Sequence, residues 1–330
     1  MRICIVRLSA LGDIVMSLPL IRTLQKNFPS AEITWIVGKP FYPLFEGLQG
    51  VNVIGISKIK SFRDWLTLKK KLKKYEFDIL LATQASFSAH LIYTLIRAKR
   101  KIGYDPVRSK DFHALFVNER IPFIKEHTVE GFLGFAKKIG AIEMVFDGAV
   151  PIEDKKKLFI KTPYFVVNPC SSKLEKDWNY KNYIPLISYV KEKFGLTPVV
   201  IGVGQDKEIC EMIAKESACI NLCGKTDLKE LVQVLKEAKF LLSPDSGPLH
   251  IASGLKTPAI GLFGPTTSSL TGPYFSKEMC IDKHSEVLEK YASEKQRKKG
   301  WNVRIYHKDA MNLISMNEVK NKISEILNCS

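Results

Sequence analysis

The sequence predicts an α/β protein built as two Rossmann-like, doubly wound domains. Three observations point to it. The 330 residues exceed what one hydrophobic core usually serves, so two domains of about 150 residues each are the default. The chain opens on residues 2–8, an apolar run suited to burial on both faces of a parallel sheet. A turn at 9–13 follows, then helical periodicity through Val15, Leu18, Ile21, Leu24 and Phe28. A compact strand–helix–strand unit stands at 240–266: an apolar run ends at Pro244, Pro248 suits a first helical turn, and residues 259–263 make the next strand. The loop of that unit aims free backbone N–H groups and a helix N-terminus at one point, which favours phosphate. His250, in the first helical turn, can reach the same ligand. Taken alone, Asp245 and Ser246 cap a helix as readily as they serve a site.

Composition narrows the class. Apolar residues make up 45% of the chain, and no stretch approaches the roughly 20 uninterrupted apolar residues that span a bilayer. The start runs straight into a strand, and Arg7 and Asp13 interrupt any signal-like apolar segment, so a soluble cytoplasmic protein is expected. Cysteines at 4, 170, 210, 219, 223, 280 and 329 form no paired Cys-x-x-Cys framework, so reduced thiols are expected and a structural zinc is not. The formal charge of +16 is uneven: residues 1–150 hold 23 Lys/Arg against 13 Asp/Glu, and residues 151–330 hold 27 against 21. An anionic partner is implied, met mainly by the N-terminal half.

Within the first domain, Gly-x-Gly-x-x-Gly is absent after the opening strand, which argues against a dinucleotide site. Asp13 lies where strand meets helix, at the sheet edge where open α/β proteins place ligands; locally a helix-capping role serves equally well. Pro19 makes the start of the following helix irregular. Strands are expected at 32–37, 51–56 and 78–82. Residues 64–75 read as a helix with Leu66, Leu68 and Leu72 apolar and Lys69, Lys70, Lys71, Lys73 and Lys74 around them. Eight basic residues stand against one acid between 58 and 74. Residues 83–86 precede a helix to about 96. A second basic run, 97–101, then leads to a strand at 102–103, with Arg108 and Lys110 just beyond. Residues 127–139 form a helix, and 147–162 the interdomain linker, with the boundary at 155/156.

The second domain opens on a strand at 164–168. Ser171, Ser172 and Lys176 follow in its loop, the hydroxyls and point charge that a diphosphate needs. Gly202 and Gly204 lack a third glycine, and Gly224-Lys225-Thr226 imitates a P-loop end but has Cys219 where glycine is required. Residues 227–238 are a helix with a capping-box start. Residues 284–300 are charged and weakly periodic, suiting an exposed helix or an insert. The last helix, 316–327, could pack back on the first domain.

Three strings carry a family resemblance. Asp245-Ser246-Gly247-Pro248-Leu249-His250, then an apolar helix, Thr257-Pro258 and Leu262-Phe263-Gly264-Pro265-Thr266, resembles the donor-binding segment of the family 9 glycosyltransferases, the bacterial lipopolysaccharide heptosyltransferases. Arg7-Leu-Ser-Ala-Leu-Gly12-Asp13 resembles the family's opening, most of all that of heptosyltransferase I. Ser171, Ser172 and Lys176 before Trp178 are similar to its paired hydroxyls and lysine, with serine where many relatives carry threonine.

The resemblance implies a GT-B-like fold, two Rossmann-like domains facing across a cleft, with 1–155 binding the acceptor and 156–330 the ADP-sugar. It implies inverting transfer of L-glycero-D-manno-heptose from ADP-heptose to Kdo of the lipopolysaccharide inner core. Asp13 would be the catalytic base. Ser171, Ser172, Lys176, Glu208, Asp245, Ser246, Gly247 and His250 would hold the donor, Glu208 through its ribose. Lys60, Arg63, Arg108 and Lys110 would line the path of the anionic Kdo–lipid A acceptor. No metal and no cofactor beyond the ADP-heptose co-substrate are expected, and no nucleic acid. A monomer is expected, resting on the cytoplasmic face of the inner membrane, where the lysines of 69–74 meet anionic headgroups. The alternatives are another family 9 enzyme with a different sugar or acceptor, a nicotinamide oxidoreductase without its glycine fingerprint, and a nucleic-acid-binding protein. Only charge suggests the last, without an aromatic-studded basic motif.

Overall fold

The structure, a computed structural model, describes residues 1–152 and 160–328. It divides into two compact units, Met1–Pro151 and Ile152–Ser330. The expected boundary at 155/156 lies among residues 153–159, outside the described residues, as does Cys329.

The first unit holds six strands: β1 Arg2–Arg7, β2 Glu32–Gly38, β3 Val51–Ile56, β4 Glu76–Leu81, β5 Arg97–Gly103 and β6 Glu119–Arg120. They pair in the order β3-β2-β1-β4-β5-β6, every pair parallel. Ile3, Cys4, Ile5 and Val6 are wholly buried, which is why β1 reads as an unbroken apolar run at the centre of the sheet. Because the chain winds outward from β1 to β3 and then returns to β4, the order reverses between β1 and β4. Open α/β sheets bind ligands at the strand C-termini beside such a reversal.

Two local details differ from the sequence reading. The helix expected from residue 14 is two helices, Leu11–Met16 and Leu18–Asn27, meeting at Ser17. Pro19 has no N–H for the Val15 carbonyl, and its ring crowds that carbonyl, so the chain breaks there. The basic run 97–101, expected to precede the strand, is most of strand β5: Glu76 pairs with Arg97, Phe77 with Ala98 and Leu80 with Lys101. Alternation puts Arg97, Lys99 and Lys101 on one face and Arg100 on the other. Arg97 and Lys99 are exposed, Lys101 is half-buried and donates to the Tyr93 carbonyl at 3.1 Å, and Arg100 binds Glu119 on the neighbouring strand at 2.6 Å. Helix Phe62–Leu72 is capped by Ser61 and Asp64; it buries Leu68 and Leu72 and turns its lysines outward.

The second unit repeats the plan with β7 Tyr164–Val167, β8 Thr197–Val200, β9 Ile220–Asn221, β10 Leu241–Pro244, β11 Ala259–Phe263 and β12 Ile281–Asp282. The order is β12-β11-β10-β7-β8-β9, again all parallel. The reversal here lies between β7 and β10. Phe165 stacks on Phe240 with ring centres 5.1 Å apart, and the buried Trp178 donates its indole N–H to the Ile314 carbonyl at 3.2 Å. The last helix, Met316–Asn328, belongs to this core: Val319 and Ile323 are buried in one cluster with Tyr183, Ile187 and Val190. The charged stretch folds as two short helices, His284–Tyr291 and Glu294–Lys299, over a small core of Val287, Val303, Ile305 and Ala310.

Candidate functional site

At the reversal point of the first unit, the loops after β1 and β4 lock together. Thr83 donates its hydroxyl to the Val6 carbonyl at 2.9 Å. Gln84 accepts the N–H groups of Leu8 and Ser9 at 2.7 and 3.3 Å. Tyr93 clamps Gln84 from below, its hydroxyl donating to the Gln84 carbonyl at 2.6 Å. The sequence places Asp13 in this loop but gives no sign of what holds it. Arg7 does: its guanidinium pairs with Asp13 Oδ2, donates to the Thr83 carbonyl at 2.6 Å, and lies over the Phe132 ring. Burial disfavours the Arg7 charge, and the Asp13 carboxylate more than offsets it, so the guanidinium pKa stays above its usual value. Asp13 Oδ2 also accepts the Ala10 N–H at 3.3 Å. Oδ1 has no hydrogen-bond partner among the described residues, and the carboxylate is part-exposed. One oxygen is fixed and the other is open to a ligand.

Of the expected acceptor residues, Lys60, Arg63 and Lys110 are exposed on loops or the helix start beyond β3 and β5. Arg108 is a correction. Its side chain is 7% exposed and is fully engaged. Nε donates to Asp105 at 2.5 Å, one terminal nitrogen to the Pro122 carbonyl at 2.5 Å, and the other to Glu126 at 3.4 Å. Tyr104 and Phe123 cover its faces. A buried guanidinium needs this full set of partners, so Arg108 ties the loop after β5 to the chain before helix Thr128–Lys138 and is not free for an acceptor. The acids at 105 and 126 and the flanking aromatics were the signal that could have revealed it.

In the second unit the loops after β7, β10 and β11 converge on Asp245. Lys176 donates to the Asp245 carbonyl at 2.7 Å and to its carboxylate at 3.2 Å. Thr266 donates its hydroxyl to the same oxygen at 2.9 Å, and His250 Nε2 lies 3.7 Å from the other, too long for a hydrogen bond. Burial alone would raise the Asp245 pKa, but His250, Lys176 and Thr266 together pull it down to about 2. The stabilisation this carboxylate contributes is therefore present above its ordinary value and disappears as pH falls through about 2.

Asn168, unmarked in the sequence, organises the neighbouring turn. Its amide lies 3.0 Å from the Cys170 carbonyl, 2.9 Å from the Ser243 hydroxyl and 3.0 Å from that of Ser246. Ser246 thus gives its hydroxyl to this network and not to the start of helix Gly247–Gly254, leaving the first-turn N–H groups, Gly247 included, for an anion. Ser171 closes its own small turn through Lys173 at 2.9 Å, while Ser172 is exposed. Glu208 stands exposed in the first turn of helix Lys207–Ser217, after β8 on the same sheet edge. Lys176, Asp245, Ser246, Gly247 and His250 are brought together; Ser171, Ser172 and Glu208 flank them from adjacent strands.

Asp177, next to Lys176, was not anticipated. Both its oxygens are buried without a well-formed hydrogen bond, and burial pushes its pKa up to about 6 against the smaller opposing pull of the nearby Ser171 groups and Lys176. A carboxyl raised in the folded state costs nothing below its ordinary value near 4; the destabilisation builds as pH rises from there to about 6 and is fully present above it. Asp177→Asn is therefore expected to raise the Tm at pH 7.5, with the gain vanishing toward pH 4. Melting curves across that range check it; an equal gain at both ends would mean that charge is not the cause.

Comparison with known proteins places the chain. The family model described as "Glycosyltransferase family 9 (heptosyltransferase)" matches residues 65–301. The chain is 32% identical to the Haemophilus influenzae lipopolysaccharide core heptosyltransferase OpsX, over 98% of this chain and 96% of that protein. It is 24% identical to the Escherichia coli lipopolysaccharide heptosyltransferase 1, over 84% of this chain and 92% of that one. Among solved structures, the glycosyl transferase family 9 protein of Veillonella parvula superposes with a TM-score of 0.80 at 18% identity, covering 100% of this chain and 97% of that one. The E. coli heptosyltransferase WaaC with ADP gives 0.77 at 21%, covering 99% and 100%. The fold is the GT-B-like pair of doubly wound domains, and the chain belongs to glycosyltransferase family 9, the heptosyltransferases.

Proposed function

We propose that this enzyme transfers L-glycero-D-manno-heptose from ADP-heptose to a Kdo residue of the lipopolysaccharide inner core, with inversion at the anomeric carbon. The observation that carries the reading is Asp13, a carboxylate with one oxygen fixed by a buried arginine and the other open, at the ligand-binding edge of its sheet. As the acceptor oxygen bonds to the anomeric carbon, Asp13 takes its proton and the bond to the ADP oxygen breaks. A carboxylate is too weak to deprotonate an alcohol beforehand, so proton transfer accompanies bond formation. Lys176, the hydroxyls of Ser171 and Ser172, His250 and the helix start at Gly247 hold the diphosphate and stabilise its charge as it leaves. Asp245 keeps Lys176 and His250 in place. Glu208 accepts the ribose hydroxyls.

In this reading ADP-heptose is a co-substrate and no metal takes part; protein cations and N–H groups meet the leaving charge. The supporting observation is the composition of the Asp245 cluster, one carboxylate among Lys176, His250 and Thr266. Lys60, Arg63 and Lys110 meet the anionic acceptor, and the enzyme works as a monomer at the cytoplasmic face of the inner membrane. No described helix is long and apolar enough to cross a membrane.

Incubation with ADP-heptose and defined Kdo-bearing acceptors tests the proposal. One heptosyl unit should be added, and proton–carbon coupling at the new anomeric centre should report inversion. Transfer to a different acceptor in preference, or retention of configuration, would overturn the corresponding part.

A further inference from the structure

The strand ends that carry Asp13 also carry large apolar side chains facing water. Phe112 is 81% exposed, Leu115 79%, Phe62 73% and Phe87 65%. All four follow C-terminal strand ends of the first unit, after β5, β3 and β4, and a parallel sheet puts those ends on one edge. β3 and β5 are four strand spacings apart, about 20 Å, and β1 with Asp13 lies between them.

Phe112 and Leu115 are held in that display from beneath. Asp111 and Phe112 both adopt left-handed backbone conformations, φ 55° and 59°, which non-glycine residues seldom occupy without support. The support is visible. Asp111 accepts the Phe87 N–H at 3.3 Å. His113 is buried, accepts the Tyr104 N–H at 3.1 Å, and lies 3.0 Å from His90. Phe116 stacks on His90 with ring centres 4.7 Å apart. With His113 and Phe116 turned in, Phe112 and Leu115 fall three residues apart on the outer face of the short 3₁₀ turn His113–Phe116 and its cap, where i and i+3 eclipse. A loop with no partner gains nothing by fixing two apolar side chains in water.

We infer that this edge of the first unit docks on an anionic lipid bilayer, Phe112, Leu115, Phe87 and Phe62 entering the headgroup–acyl boundary while nearby cations meet the headgroups. Lys60, Arg63 and Lys110 stand exposed among the apolar residues, and the lysines of helix Phe62–Leu72 extend the positive field. Apolar anchors within a basic surface are the recognition chemistry of an anionic interface. A second copy of the chain fits poorly, because a two-fold contact would set these cations against themselves. The inference rests on the proposed acceptor only for why a membrane is involved; the surface itself stands without it.

The experiment uses the full chain and vesicles of phosphatidylglycerol and phosphatidylethanolamine without glycolipid or donor, so heptosyl transfer plays no part. Wild type should float with these vesicles and not with phosphatidylcholine. The pair Phe112→Ser with Leu115→Ser should lower partitioning at least about tenfold with an unchanged Tm. A Phe112→Trp reporter should shift to the blue and be quenched, beyond the wild-type signal, by bromine placed on the acyl chains. The inference falls if the wild type does not bind anionic vesicles at low salt, if the serine pair binds as well as wild type, or if the reporter stays unquenched. A concentration-dependent dimer that the serine pair abolishes would give the surface to a second copy and equally overturn it. Preference for RNA over vesicles would do the same.

Discussion

Replacing Asp13 with asparagine is expected to lower turnover by about 10²–10⁴, the usual worth of a positioned general base. Asparagine matches the carboxylate in size and can still accept the Ala10 N–H that Asp13 Oδ2 receives, but it takes no proton from the acceptor. The structure adds a second consequence. Arg7 is buried, its Nε already lacks a hydrogen-bond partner, and Asp13 is the carboxylate that balances its charge. Leaving that guanidinium unpaired should cost about 2–4 kcal/mol, so the variant melts lower as well as turning over more slowly. ADP affinity separates the two effects: measured below the melting transition, it should be unchanged, because the donor residues belong to the second unit's sheet edge. Turnover near that of the wild type would return Asp13 to a purely structural partnership with Arg7.

The parts of the site visible in the sequence are those formed within one short segment. Asp13 after β1, Lys176 after β7 and Asp245-Ser246-Gly247 after β10 all sit at a strand-to-helix turn, which hydrophobic periodicity locates directly. The residues that make these turns into sites stayed hidden because their partners are distant in sequence. Gln84 meets Leu8 and Asn168 meets Ser243, each more than 70 residues away. Only the strand order, with its reversals between β1 and β4 and between β7 and β10, makes those pairs neighbours. Charge misled in the opposite direction. It assigns Arg108 to the anionic acceptor and sets the run 97–101 before a strand at 102–103, yet one is buried with its own acids and the other is part of the strand. Alternation in Arg97-Ala98-Lys99 was the available clue for the strand. The two-helix break at Ser17 was legible through Pro19, because a missing N–H acts locally whatever the tertiary context.

Lys176→Ala should weaken ADP binding by more than the loss of one contact. A charge-assisted hydrogen bond to a diphosphate is worth about 1.5–3 kcal/mol, a factor of roughly 10–150 in affinity. In this structure Lys176 also neutralises Asp245, donating to both its carbonyl and its carboxylate. Without the lysine, the buried carboxylate retains Thr266 and the more distant His250, and its charge repels the incoming phosphates. Losing Lys176 also removes one of the groups that hold the Asp245 pKa near 2, so that pKa rises in the variant. Pairing Lys176→Ala with Asp245→Asn distinguishes the two contributions. If repulsion by Asp245 carries a share of the loss, the double variant binds ADP more tightly than Lys176→Ala alone, a coupling that a double-mutant cycle by calorimetry measures directly. If the lysine contact is the whole effect, the second substitution brings no recovery. Wild-type ADP affinity in Lys176→Ala would remove this residue from the donor site, and with it the reading of the Asp245 cluster as the place where the diphosphate is held.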